Sequence, residues 1–242
     1  MKKIVVIILL VTAIYAKAQS PNKLFGREPI INLENFQKQR LYFGFYLGFN
    51  SYDFKIDYKT VSEDILVTKS TGFNVGLVAN LRLQEYVSLR FEPGLYYTTR
   101  DLQYSTSYFP AVPAPTPTDL LRQVNSTYIH FPLLLKFLSL RTGNVRPYLL
   151  GGVSTTLNLS SNSKSIDDNY EDLFRVQPWT TNYELGFGID IFSEYFIFSP
   201  SIRGVFGIND ELIRDNDDLN SPWTGNVESM KTRAVFINFT FH

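Results

Sequence analysis

The 242 residues contain no cysteine, which excludes disulfides, thiolate metal sites and cysteine nucleophiles together. A lipoprotein anchor is excluded for the same reason, because no cysteine is available to be acylated. Neither sign of charge is in excess: 23 Lys and Arg balance 23 Asp and Glu. Nucleic-acid partners need a basic patch or stripe, and this balance offers no such footprint. Beyond residue 18 no apolar run approaches the ~20 residues a membrane helix requires. Histidine is scarce, with only His130 and His242.

Aromatic residues, by contrast, are abundant: 15 Tyr, 20 Phe and 2 Trp. The first 18 residues read as a secretory signal peptide. Lys2 and Lys3 supply the positive region, Ile4 to Ile14 the apolar run and Ala16-Lys17-Ala18 the small-x-small cleavage motif. Residues 19–39 show no sustained period, contain two prolines and are expected to form a periplasmic N-terminal extension. The remainder, 40–242, is expected to be one domain.

That domain alternates with a period of two. In the stretch from Arg40 to Tyr58, Leu41, Phe43, Phe45, Leu47 and Phe49 share one face, while Tyr42, Gly44, Tyr46, Gly48, Asn50 and Tyr52 share the other. A soluble sandwich would put the apolar face inside and charges outside. Here the second face carries glycine and tyrosine, which suits a narrow interior, so the apolar face points outward as in a transmembrane barrel. Seven further segments repeat the pattern, at 70–83, 86–100, 124–137, 146–159, 179–191, 195–208 and 230–242. Their connections, 59–69, 84–85, 101–123, 138–145, 160–178, 192–194 and 209–229, alternate strictly between long and short. Short periplasmic turns and long outer loops have that order. The fold class predicted is therefore all-β: an eight-stranded antiparallel up-and-down transmembrane β-barrel of the outer-membrane type. Both termini are expected on the periplasmic side and the long loops outside the cell. Pro93, Pro132, Pro147 and Pro200 fall in or near strands although a closed barrel has no edge to hide a missing donor; bulges or strand ends are expected to absorb them.

The inward faces carry Arg82, Arg90, Glu92, Lys136, Glu184, Asp190 and Arg203. Charges in a tight interior must pair or meet water, so these are expected to plug the lumen as a salt-bridge and tyrosine network. A gated path for ions or protons is the alternative. His130 also faces inward. Ser126, on the same strand four residues away, lies roughly 13 Å along it, too far for a hydrogen bond, whereas Ser154 and Glu184 are the other possible neighbours. Two acidic clusters, Asp167-Asp168-Asn169 with Glu171-Asp172 and Asp215-Asn216-Asp217-Asp218, lack calcium-loop spacing and are expected to be solvated. The segment 101–123, with Tyr104, Tyr108 and Phe109 before Pro113, Pro115 and Pro117, reads as a long exposed loop and a plausible docking surface.

The stretch NLENFQKQRLYFGFYLGFNSYDFKIDY, residues 32–58, resembles the opening of the PorT/SprT family, outer-membrane barrels required for type IX secretion, and for gliding where present, in the Bacteroidota. YIHFPLLLKF (128–137), RPYLLGGVSTTLNL (146–159) and NYELGFGIDI (182–191) resemble the wider barrel group of those bacteria. The resemblance implies a non-enzymatic export component in the outer membrane, with no catalytic residue, cofactor, metal or small-molecule substrate. The partners it implies are outer-membrane lipid, other secretion components and the barrel-assembly machinery. Asn32, Leu33, Glu34, Asn35, Phe36 and Arg40 belong to its most specific block yet are not needed to close a barrel, which makes them the candidate partner-binding residues. Phe239 and Phe241 serve as the assembly signal, although the terminal residue, usually aromatic, is His242. The competing readings are a general structural or adhesive barrel and a lipid-modifying enzyme centred on His130.

Overall fold

The computed structural model describes residues 31–60, 63–110, 114–163, 174–216 and 221–242. The signal peptide and most of the N-terminal extension thus lie outside the described residues, as do Pro113, Asp167, Asp168, Asn169, Glu171, Asp172, Asp217 and Asp218. Among the described residues there are ten strands: β1 (Leu41–Tyr58), β2 (Leu66–Lys69), β3 (Thr71–Arg82), β4 (Val87–Phe91), β5 (Gly94–Gln103), β6 (Leu121–Leu138), β7 (Val145–Asn158), β8 (Trp179–Phe192), β9 (Ile197–Gly207) and β10 (Val227–Phe241). All pairings are antiparallel. β1 pairs with β10 on one side and with β3 on the other, which closes the ring. The staves number eight, as predicted, because β2 and β3 are parts of one and β4 and β5 parts of another.

The two broken staves are broken for different reasons. Phe91 faces Leu133 and Gly94 faces His130, so the register is unchanged across Glu92-Pro93. Glu92 donates its N–H to the Pro132 carbonyl at 3.4 Å, but proline has no N–H to return. The Tyr46 hydroxyl donates to the Glu92 carbonyl instead, at 3.3 Å. One tyrosine therefore repairs the ladder where Pro132 cannot. Between β2 and β3 the register shifts by a residue, since Lys69 faces Arg100 and Phe73 faces Tyr97. This is a bulge, and Ser70 holds it: its N–H and hydroxyl both donate to the Thr99 carbonyl, and its hydroxyl accepts from the Thr99 N–H. Pro147 and Pro200 sit inside the continuous strands β7 and β9.

The predicted faces are present. Phe43, Leu77 and Leu185 are 67%, 66% and 60% exposed, while Tyr46, Tyr96 and Phe236 on the inner face are fully buried. A soluble chain does not ring itself with that much exposed apolar surface; a chain solvated by hydrocarbon does. No described helix is long and apolar enough to cross a membrane. Glycine on the inner face makes room for the rings. A Cβ at Gly94 would collide with the Tyr46 hydroxyl, and one at Gly188 with the Tyr148 hydroxyl.

The loop end differs from the expectation of long solvated connections. Strands enter them: β2 lies within 59–69, β5 continues to Gln103 and β6 begins at Leu121. Phe54, Leu102, Tyr104, Phe109, Val124, Phe174, Val176, Leu212, Trp223 and Met230 form one buried apolar cluster. A bridge between Val176 and Leu212 ties two of the long connections together. Tyr104 and Phe109, expected on an exposed docking loop, are instead core residues of this lid. Asp215, expected in a solvated acidic run, is buried and accepts from Ser221 and Thr224 hydroxyls at 2.5 and 3.1 Å. The aromatic rings bury one another because their apolar area leaves water, and the two hydroxyls make the burial of Asp215 tolerable.

Candidate functional site

Inward positions on or beside β4, β6, β8 and β9 bring most of the predicted lumen charges together. Glu92 lies between two guanidinium groups. It accepts from Arg203 at 2.8 Å and is in direct contact with Arg90 Nε. Arg203 Nε also faces Glu184 at 3.0 Å, and Arg90 donates to the Thr240 hydroxyl at 3.0 Å. Toward the turn-bearing end, Lys136 donates to both Asp190 oxygens at 2.7 and 2.9 Å. Its ammonium lies 3.9 Å from the centre of the Tyr148 ring. Arg146, the cross-strand neighbour of Asp190, donates to it at 3.1 Å, and Ser199 adds its hydroxyl at 2.7 Å. Arg82 is placed at the turn end, half-buried, away from the centre of the lumen.

His130 also joins this network. Its Nε2 donates to the Glu184 carboxylate at 2.7 Å, and its Nδ1 shares a hydrogen bond with the Thr156 hydroxyl at 2.8 Å. Ser126, the partner excluded by distance, accepts from Arg100 instead. An acid–base pair needs access to a substrate, and both His130 and Glu184 are fully buried. Arg90, Arg203, Lys136, Tyr46, Tyr96 and Phe236 are each no more than 2% exposed and fill the lumen. Eight staves leave an interior that side chains just fill.

Three inward cations were missed in the sequence although parity marks two of them plainly. Arg100 continues the Glu92, Gly94, Tyr96, Thr98 face, and Arg146 precedes Tyr148 on its face. Arg100 is fully buried, 3.8 Å from the centre of the Phe54 ring, and donates to the Tyr128 hydroxyl. Arg122 lies over the Trp223 ring at 4.5 Å. Glu211, on the connection after β9, had no signal. It is buried, accepts from Thr232 N–H and hydroxyl at 3.0 and 2.9 Å, and burial raises its pKa.

At the turn end, residues 32–40 fold back onto the barrel. Asn32 donates its N–H to Asn144 at 3.0 Å and its side-chain amide to the Phe192 carbonyl at 3.2 Å, while its carbonyl accepts from Arg141 at 2.6 Å. Leu33 adopts the left-handed conformation, and a single helical turn, α1 (Glu34–Gln37), follows. Asn35 is exposed on α1 and Arg40 is exposed just before β1. Glu34 pairs with Lys38 on the exposed surface at 3.1 Å. Phe36 packs edge-on against Tyr42, and Tyr42 against the His242 ring. The segment borders a cavity of about 340 Å³ whose wall includes Phe36, Tyr42, Arg82, Leu138, Arg141 and Arg146. Burial and the nearby Arg146 lower the pKa of Arg141, and Glu34 opposes them; the wall sets Lys38, Arg82, Arg141 and Arg146 against Glu34 and Glu85 beside its aromatic side. Phe239 and Phe241 lie outward at the same end, with Phe241 stacked on Phe45 at 5.4 Å.

A closed ring of eight antiparallel staves, apolar outside and filled by ion pairs inside, defines a small outer-membrane β-barrel. Residues 18–212 match the family model described as outer membrane protein beta-barrel domain, and the chain belongs to that family. Its location is the cell outer membrane. No curated protein matches the sequence. Among solved structures, the outer membrane protein OprG of Pseudomonas aeruginosa is similar at 15% identity and a TM-score of 0.46, over 83% of this chain and 95% of that one. The N-terminal barrel domain of OprF from the same organism is similar at 13% identity and a TM-score of 0.34, over 82% and 97%. Ail of Yersinia pestis, solved with the heparin analogue sucrose octasulfate, is similar at 10% identity and a TM-score of 0.36, over 82% and 96%.

Proposed function

We propose that this barrel is a non-enzymatic accessory of protein export of the type IX kind, acting through contacts at its turn end. The observation that carries the reading is the contrast between the two candidate sites. The lumen is packed with mutually paired charges, which favours neither a diffusion path nor substrate access. The turn end holds a concave surface built by residues 32–40, the block whose sequence resembles the PorT/SprT opening. Barrel closure runs through β1, β3 and β10 and does not use Asn32 to Phe36; the turns hold Asn32 in place, and Glu34 and Asn35 are exposed toward a partner. With both termini periplasmic, that surface faces the compartment where export components assemble.

The test is the culture-medium protein profile of a clean deletion strain beside its parent, with complementation by the full chain and by the Phe36→Ala variant. The reading expects type IX cargo to disappear from the medium, to return with the parental chain and to return weakly with Phe36→Ala at equal barrel abundance. An unchanged profile on deletion would leave only a general structural barrel.

A further inference from the structure

The outer wall near the loop end carries a charge pattern that packing does not explain. On the outward face of β1 and β10, the cross-strand pairs are Phe49 with Ile237, Ser51 with Val235, Asp53 with Arg233 and Lys55 with Lys231. Two lysines directly opposite one another on the same face repel, and such pairs destabilise a sheet. Lys55 has Asp57 at 3.2 Å, whereas no carboxylate among the described residues lies within ion-pair reach of Lys231. Asp53 is already shared, since Lys69 of β2 approaches it at 3.0 Å and Arg233 at 2.8 Å. Four cations thus surround two carboxylates: Lys55, Lys231 and Arg233 on the outward face, and Lys69, which reaches the largely buried Asp53 from the face it shares with Arg100.

Their height is set by the strand itself. Ten residue steps from Leu41 to Ser51 rise roughly 25 Å along the axis at the usual strand tilt, which is the height of the apolar band of an outer-membrane barrel. The charges begin at the next outward residue. They therefore stand at the headgroup level of the leaflet on the loop side, with their hydrocarbon stems against the top of the band. Asp57 lies within electrostatic reach of both Lys55 and Lys231 and offsets part of their repulsion; an anion placed between the two lysines would relieve the rest.

We infer that Lys55, Lys69, Lys231 and Arg233 form a binding site for the phosphate groups of a membrane glycolipid. The site lies on the outside of the barrel and does not depend on the export reading. Lysine serves it as a flexible point charge, and Arg233, still half exposed beside Asp53, supplies a planar fork for a phosphate oxygen pair.

The experiment titrates the refolded mature chain, in uncharged detergent micelles, with bisphosphorylated lipid A, with the same lipid stripped of its phosphates, and with inorganic phosphate. The Lys55→Gln/Lys231→Gln variant is measured beside the parent. Each cation near an anionic lipid surface contributes roughly fivefold, so the double variant is expected to bind bisphosphorylated lipid A about thirtyfold more weakly. The stripped lipid should bind parent and variant alike, and inorganic phosphate in excess should not displace the lipid. Equal affinity of parent and double variant for bisphosphorylated lipid A overturns the assignment. So does unchanged parental affinity when the phosphates are removed. Displacement by inorganic phosphate overturns it as a lipid site. If the double variant fails to refold, Lys231→Gln alone removes a cation without an ion-pair partner and should show the fivefold loss.

Discussion

Glu92 neutralises two buried guanidinium groups, and its removal separates them unequally. In Glu92→Ala, Arg203 keeps Glu184 at 3.0 Å. Arg90, only 1% exposed, keeps the neutral Thr240 hydroxyl as its hydrogen-bond acceptor. Breaking a buried pair by deleting one partner costs about 3–5 kcal/mol because an uncompensated charge remains, roughly two to four orders of magnitude in the folding constant. A second variant separates charge from packing. Arg90→Met/Glu92→Leu removes one charge of each sign and leaves Arg203 paired with Glu184, so much of the loss should be recovered. Reversible urea unfolding of the barrel in lipid vesicles, followed by the gel shift of the folded form, measures both. If Glu92→Ala unfolds at the parental midpoint, the lumen is wetter than its burial implies. If the double variant is as unstable as Glu92→Ala, the loss is one of packing, and the electrostatic account of the plug fails.

Trp223 anchors the loop-end lid against Phe109 at 5.6 Å, under Arg122 and with its indole N–H on the Asp119 carbonyl at 3.0 Å. Trp223→Ala should cost about 3–5 kcal/mol locally. Limited proteolysis should then cut within residues 101–123 much faster while the staves stay protected; equal cleavage rates would refute the lid. Glu211, whose pKa burial raises, prefers its proton in the folded state. Its contribution is therefore fully present below the unfolded carboxylate value and is lost as pH rises through the raised folded value. The parental stability relative to Glu211→Gln should fall across that window, and a flat difference would place Glu211 in water.

Much of the candidate site was legible because a strand has a parity. Once Leu41, Phe43 and Phe45 were assigned outward, the faces of Arg90, Glu92, Lys136, Glu184, Asp190 and Arg203 followed without reference to any other strand. Arg100 and Arg146 were legible by the same rule. The pairings were not. Glu92 meets Arg203 across 111 positions of sequence, and which inward charges share a level depends on register and stagger, quantities that alternation leaves free. The bulge at Ser70 had no signal either, because it is fixed by hydrogen bonds to Thr99 on another stave.

Local pattern was enough for the eight staves, their order, most lipid-facing and lumen-facing positions and the sorting of short turns from long connections. These depend on local periodicity and on turn chemistry, which a single strand and its neighbours in sequence already express. That aromatic loop residues such as Tyr104, Phe109 and Trp223 bury one another emerges from the folded chain alone. It alone showed that Tyr46 completes the ladder at Pro132, that Asn32 to Phe36 fold back onto the turns, and that Lys55 faces Lys231. Each of these is a meeting of residues far apart in the chain. Ring closure sets such meetings, and local pattern carries no record of them.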